Sequence, residues 1–156
     1  MKILSSFLAL FVCFEALGQS EVLDLDYMPP AHAEQVEAIM PGAAVLKGGV
    51  RFLELEAGEG ERIEKGDRVE AIYTGRLLDG SIFNQKTGRW HTYRFEVGAE
   101  PRQVIQGWEI ALPRMQSGGR YLVAIPSQFA YKDKGRYGQV PPYATVTFEI
   151  EILGVN

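Results

Sequence analysis

Thr145-Val146-Thr147-Phe148-Glu149-Ile150-Glu151-Ile152-Leu153 decides the fold. Val146, Phe148, Ile150 and Ile152 fall on one side of an extended chain; Thr147, Glu149 and Glu151 fall on the other. A period of two is what a strand shows when one face of its sheet is buried and the other meets water. Antiparallel sheets have such unlike faces. Upstream, His91 to Val97 sets Tyr93, Phe95 and Val97 against Thr92, Arg94 and Glu96. Arg120 to Ile125 reads as another strand. Arg68 to Leu78, rich in Val, Ile and Tyr, is one more, followed by the turn dipeptide Asp79-Gly80. Val50, Phe52, Leu53 and Leu55 form a further strand-like run that stops at Gly58 and Gly60.

One segment breaks the β pattern. Val104, Ile105, Trp108, Ala111 and Leu112 recur at spacings of three and four, which predicts an amphipathic helix of two to three turns ended by Pro113. The expectation is an α+β fold, a curved antiparallel sheet (a half-barrel) wrapped around one short helix. Between Pro126 and Tyr143 lies a long stretch without periodicity that contains Phe129, Tyr131, Tyr137 and Pro141-Pro142. A loop of that length in a small domain is commonly functional, and its aromatic residues argue for order.

The chain has 156 residues, 46 % of them hydrophobic, so it supports one domain with a real core. A net charge of −4 argues against a nucleic-acid footprint. Residues 1–18 read as a signal peptide: Lys2, a mostly apolar run from Ile3 to Phe14, then Ala16-Leu17-Gly18 before a cut at Gln19. Periplasmic or secreted localisation follows from that reading. Residues 19–46 form a lead-in broken by Pro29-Pro30, with a short helix expected over Ala31 to Met40 and stopped by Pro41-Gly42. Residues 47–156 carry the folded domain. Cys13 is the single cysteine and lies inside the signal, so the mature chain has no thiol for a disulfide, a metal or a nucleophile. With no helical arm long enough to pair two copies, a monomer is expected.

Familiar catalytic constellations are missing. His32 and His91 are the only histidines and make no metal-ligand spacing. Gly58-Glu59-Gly60-Glu61 lacks the Lys-Ser/Thr ending of a phosphate loop and reads as a turn. No cofactor is expected, and no nucleophile-elbow pattern points to a hydrolase. What remains is an aromatic set: Tyr73, Phe83, Tyr93, Phe95, Trp108, Tyr131 and Phe148. Taken singly, each is more often plain core than site.

The order of the motifs adds to this. Ala71-Ile72-Tyr73-Thr74-Gly75, Leu78-Asp79-Gly80 with Phe83, Phe95-Glu96-Val97-Gly98 and Val104-Ile105-Gln106-Gly107-Trp108 come in sequence. Met115 to Gly118, Phe129-Ala130-Tyr131, Val140-Pro141-Pro142 and Ala144-Thr145-Val146-Thr147-Phe148 follow. Together they resemble the FKBP-type peptidyl-prolyl isomerases over about residues 47–156, and the leader resembles exported bacterial members. The resemblance implies the half-barrel fold and acceleration of X–Pro exchange in folding exported proteins. It implies a pocket with Trp108 at the floor, walls of Tyr73, Phe83, Tyr93, Phe95 and Phe148, and an apolar rim of Val104, Ile105 and Val140. It makes the Ile105 backbone N–H and the Tyr131 hydroxyl donors to substrate carbonyls. Asn84 stands where the family usually has Asp in a polar network with the positions of Tyr73 and Arg89. That neutral residue predicts weaker binding of macrolide inhibitors such as rapamycin. Two extra residues fall before Val104, around Glu100-Pro101-Arg102. Lys132-Asp133-Lys134-Gly135-Arg136 reads either as a solvated loop or as selectivity for clients near acidic surfaces. The alternative function is a proline-peptide-binding chaperone or adaptor with little turnover. Either way the implied partners are proline-containing polypeptides, with no nucleic acid and no membrane.

Overall fold

The computed structural model describes residues 25–156, so the signal reading of 1–18 and the first part of the lead-in lie outside the described residues. A helix α1 (Pro30–Ile39) opens the fold and the short strand β1 (Ala44–Val45) follows it. Then come β2 (Arg51–Glu56), β3 (Arg68–Leu77), β4 (Ile82–Lys86) and β5 (Tyr93–Glu96). A second helix α2 (Gln106–Ala111), β6 (Arg120–Ile125) and β7 (Val146–Val155) complete it.

All pairings are antiparallel, in the order β1-β2-β6-β7-β3-β4, with β5 pairing β3 beside β4. The decisive stretch is the central strand. Register sets Phe148 opposite Gly75 and Val123, and Ile150 opposite Tyr73 and Tyr121. Opposed residues share a face, so these apolar side chains line one concave surface. Helix α2 packs into that surface through Trp108 and Ala111, joined by Leu112 just beyond its end. The approach is close: a Cβ on Gly107 would stand 2.3 Å from Ile125 Cγ2, so only glycine fits there.

The helix is shorter than its spacing suggested. Ile105 is its N-cap, extended at φ −63° and ψ 152°, and Val104 precedes it. Pro113 does not stop the chain at once; it sits in a 3₁₀ turn over Leu112–Arg114, at a first-turn position where its missing N–H costs nothing. β4 was not anticipated. It is a strand with polar Asn84, Gln85 and Lys86, and has no apolar alternation to reveal it. The turn before it forms at Asp79-Gly80, with Leu77 N donating to Ser81 O (2.9 Å) and the Asp79 carboxylate accepting from Ser81 N (2.9 Å).

The convex face is not left to water along its whole length. Helix α1 lies across it, burying Val36 and Met40 with Met28 against Ala124, flanked by Leu53, Leu78 and Leu122. Thr147, on the face expected to be wet, is 4 % exposed for this reason. Asp26 pairs with Arg51 (2.7 Å), and the His32 Nδ1 hydrogen-bonds Thr145 Oγ1 (2.9 Å), so the lead-in is fixed to the sheet just before the helix and within its first turn. Strand β1 also pairs with β2 across position 47. The last of the lead-in and the domain therefore share one sheet.

Candidate active site

The cleft is built on the concave face, where α2 meets the sheet. Trp108 is 3 % exposed, yet its indole forms part of the wall of an opening of about 130 Å³. Tyr73, Asn84, Tyr93, Gln103, Val104, Ile105, Tyr131 and Phe148 line the rest. Four rings stand nearly edge-on around the indole: Tyr73 at 5.3 Å (89°), Phe148 at 5.4 Å (84°), Phe95 at 5.7 Å (73°) and Tyr93 at 6.4 Å (82°). Edge-to-face contacts at these separations are favourable and hold each ring at a fixed tilt. The opening is smaller than a drug-sized pocket, so it seats one ring and leaves the rest of a ligand outside.

Each lining group comes from a defined place. Tyr73 and Phe148 come from the adjacent central strands β3 and β7. Tyr93 comes from β5, and its hydroxyl donates to the Gln103 backbone carbonyl. The Gln103 amide oxygen accepts the Glu96 N–H (2.9 Å), and Glu109 on α2 accepts the Gly98 N–H (3.1 Å). These bonds tie the connection before the helix to the strand beside it, which places Val104 and Ile105 at the rim. Among the described residues no acceptor takes the Ile105 N–H, as expected of the first N–H groups of a helix, and the buried indole N–H is likewise without a partner.

The hydroxyls are neutral donors. Burial pushes Tyr73 up, helped by the nearby Tyr93 and Tyr131 hydroxyls, while Arg136 and the Asn84 amide pull the other way. Burial pushes Tyr93 and Tyr131 up as well, against the pull of Arg136 on Tyr131. A raised tyrosine keeps its proton through neutral pH and can donate it in a hydrogen bond. No Asp, Glu, His or Lys lines the cleft. Among the described residues no cluster of three His, Cys, Asp or Glu could hold a metal.

Some of the expected site residues stand elsewhere. Phe83 and Phe95 do not line the opening; they are the rings behind it. Phe83 meets Tyr131 (5.8 Å, 87°) and Phe148 (5.5 Å, 85°), and Phe95 backs Trp108. Val140 is not on the rim. It lines a neighbouring hollow of about 390 Å³ under the 134–142 loop, with Leu77 and Arg136. Arg89 stands apart from Asn84 and Tyr73: it is exposed in the β4–β5 connection, and no ion pair among the described residues includes it. Arg136 lines the neighbouring hollow with Val140, and its positive charge opposes the rise at Tyr131 and Tyr73. Gln103 was the lining residue that sequence reading missed, and it gave no pattern beyond its place beside Val104.

A second groove, about 510 Å³, runs along the β3–β5 edge past Arg68, Glu70, Arg94 and Asn156. It is larger but lined mostly by charged side chains, among them the Arg94–Glu70 pair (3.1 Å), so the aromatic cleft is the better seat for an apolar ring.

A cleft with a single ring-sized seat, neutral hydroxyl donors at its mouth and no proton-transferring side chain suits holding a peptide rather than cutting one. On a half-barrel closed over a short helix, it defines the class of proline-binding rotamases. The family model described as FKBP-type peptidyl-prolyl cis-trans isomerase matches residues 59–153, and the chain belongs to that family. It is 34 % identical over 114 residues to the FKBP-type 22 kDa peptidyl-prolyl cis-trans isomerase of Escherichia coli, covering 73 % of this chain and 53 % of that one. It is 36 % identical over 113 residues to FK506-binding protein 1 of Eremothecium gossypii, covering 72 % of this chain and 97 % of that one. The chain thus spans about half of the first relative and nearly all of the second. The crystal structure of a peptidyl-prolyl cis-trans isomerase from Pseudomonas syringae superposes with a TM-score of 0.70 at 34 % identity, over 81 % of this chain and 91 % of that one. The enzymatic class is therefore that of the family, cis/trans isomerisation of X–Pro bonds.

Proposed function

We propose that the Trp108 cleft is where this chain isomerises X–Pro bonds, and that its clients are exported polypeptides in the course of folding. The observation that carries the site assignment is the indole: buried, ringed by four edge-on aromatics, and still facing an opening.

The chemistry asks little of the protein beyond environment. Amide resonance sets a barrier of about 18–20 kcal/mol. Uncatalysed exchange takes tens to hundreds of seconds. In the twisted transition state resonance is lost and the carbonyl carries less charge. An apolar cleft disfavours the planar, polar ground state relative to that twisted state, which is differential binding through desolvation. The prolyl ring would sit against the indole. The Ile105 N–H and the Tyr131 hydroxyl would hold the carbonyls on either side and so fix the twist. Each tenfold gain in rate needs about 1.4 kcal/mol.

The test is isomerisation of a Leu-Pro peptide by protein beginning at Gln19. Acceleration that is saturable by substrate supports the reading. Saturable peptide binding without acceleration would favour the adaptor alternative, for which Asn84 in place of an acid is the motivating observation. Export is tested by the N-terminal sequence of the mature protein in a cell-envelope fraction, which should begin at Gln19.

Macrolides of the FK506 type should enter the same cleft, held less tightly than by relatives with an acid at position 84. Asn84→Asp would set a carboxylate beside the Tyr73 hydroxyl. It should tighten FK506 by about 1 kcal/mol, roughly fivefold, as a charged hydrogen bond replaces a neutral one. Calorimetric titration that finds no gain would remove Asn84 from the account.

A further inference from the structure

The lead-in reaches the segment that carries Tyr131. Asp26, Tyr27, Gly48 and Gly49 all precede residue 59, where the family match begins. Yet Tyr27 stands edge-on to Phe129, with ring centroids 5.6 Å apart at 82°. Phe129 is buried and closes the 3₁₀ turn Ser127–Phe129, two residues before Tyr131. Backbone bonds pin that turn. Phe129 N donates to Pro126 O (3.0 Å), and Ala130 N (3.0 Å) and Lys132 N (2.9 Å) both donate to Ser127 O. Lys132 sits in the left-handed region at φ +57°, a conformation that a non-glycine residue keeps only where its surroundings impose it. Tyr131, enclosed by the Ser127–Lys132 bond, stands edge-on against Phe83 (5.8 Å, 87°). Two glycines let the lead-in come this close. A Cβ on Gly48 would stand 2.1 Å from Phe129 Cε2, and one on Gly49 would stand 1.9 Å from Asp26 Oδ1; both residues have positive φ, +68° and +82°. Tyr27 is held from behind. Its N–H donates to Gly48 O (3.1 Å), and the Asp26 carboxylate accepts from Arg51 (2.7 Å) and from the Met28 N–H (2.9 Å).

We propose that Tyr27 is a positioning residue for the isomerisation: by holding Phe129 it sets where the Tyr131 hydroxyl meets the substrate carbonyl. The inference rests on the reading of Tyr131 as a donor in the Trp108 cleft. A bonded turn moves as a unit, so a displaced Phe129 carries Tyr131 with it. The hydroxyl lies at the far end of a long side chain, where a small tilt of the backbone becomes a larger shift. Hydrogen bonds weaken steeply as distance and angle depart from the optimum, and catalytic contacts are sensitive to displacements of that order. Tyr27 is half-exposed and belongs to neither buried cluster, so its replacement leaves the core closed. What its ring supplies is a fixed wall for Phe129.

The test is a double-mutant cycle on kcat/KM for a Leu-Pro peptide. Wild type, Tyr27→Ala, Tyr131→Phe and the double variant are compared at a temperature where circular dichroism shows each one folded. Tyr27→Phe serves as the variant that keeps the ring, and Tyr27→Leu stands in if Tyr27→Ala does not fold. Tyr27→Ala should lower kcat/KM by about two- to fivefold, no more than the loss in Tyr131→Phe. Tyr27→Phe should stay within about 1.5-fold of wild type. With Tyr131 already replaced by Phe, Tyr27→Ala should change kcat/KM by less than about 1.5-fold, because the hydroxyl that it positions is gone. A ring that only adds stability would lower the unfolding midpoint and leave kcat/KM of the folded protein unchanged. That result, or the same loss from Tyr27→Ala in both backgrounds, overturns the inference alone. Tyr131→Phe as fast as wild type, or no acceleration of the peptide by wild type, overturns both the inference and the reading beneath it.

Discussion

One sheet meets a helix on each of its faces, and the two contacts are finished differently. On the convex side α1 seats Val36 at 2 % and Met40 at 0 % exposure against Ala124, and the buried hydroxyls of that face, Thr145 and Thr147, are both hydrogen-bonded. On the concave side α2 brings Trp108 to 3 % exposure, but leaves its N–H unpaired and an opening beside it. Similar burial thus has two meanings. A side chain can be covered because its neighbours fill every gap, or because large rings stand around a gap that only one more ring would fill. Aliphatic side chains of adjustable shape achieve the first, as Met40 does. Flat rings held edge-on cannot collapse inward, and so they achieve the second. The structural face and the chemical face should therefore respond oppositely to substitution.

Met40→Ala is expected to give the largest effect, a loss of about 2–5 kcal/mol of stability in denaturant unfolding, since it removes a fully buried side chain from a filled contact. Its kcat/KM should stay within about twofold of wild type while the protein is folded, because a twofold change is below 1 kcal/mol. A tenfold loss of activity in the folded variant would mean that the two faces are coupled. Tyr131→Phe should show the reverse split. Losing one hydroxyl donor to a bound carbonyl costs about 0.5–1.5 kcal/mol, a two- to tenfold fall in kcat/KM, with a small change in unfolding midpoint. His32→Ala, which breaks the bond to Thr145, should cost about 1 kcal/mol of stability and leave turnover alone.

The smallest effect expected is none. No group lining the cleft titrates near neutrality, so kcat/KM should be flat from about pH 6 to 9. The tyrosines set the upper limit. Their folded pKa values are raised above 10.0, so the folded state holds these protons more tightly than the unfolded chain. The stability they contribute is whole below about pH 10 and is lost as pH rises through the folded values. A bell-shaped profile centred near pH 7 would point to an acid or base that the cleft does not contain.

Much of this contrast was legible in the sequence, and the rest was not for identifiable reasons. The strand alternation reports which side chains share a face, so β6 has the expected bounds, and β7 begins one residue inside the expected ones and runs on to Val155. Periodicity says less about backbone. Val104 and Ile105 kept helical spacing because both face the cleft, although their chain is not yet helical. Edge strand β4 was silent because its residues are not sorted by burial into two faces. Ala33, Val36 and Met40 carried a legible stripe at spacings of three and four, which would have announced a packed helix rather than a loose lead-in. The place of Arg89 was out of reach: it depends on how the backbone of the β4–β5 connection runs, which no periodicity reports, and there the side chain is exposed.

The most direct measurement is kcat/KM of Trp108→Leu on a Leu-Pro peptide, at a temperature where circular dichroism shows the variant fully folded. Leucine keeps the floor apolar but removes the flat surface on which a prolyl ring would rest. A fall of at least about tenfold, 1.4 kcal/mol or more of transition-state stabilisation, is the predicted result. Turnover within about twofold of wild type would contradict the account, because the indole would then be only another filled core position, like Met40.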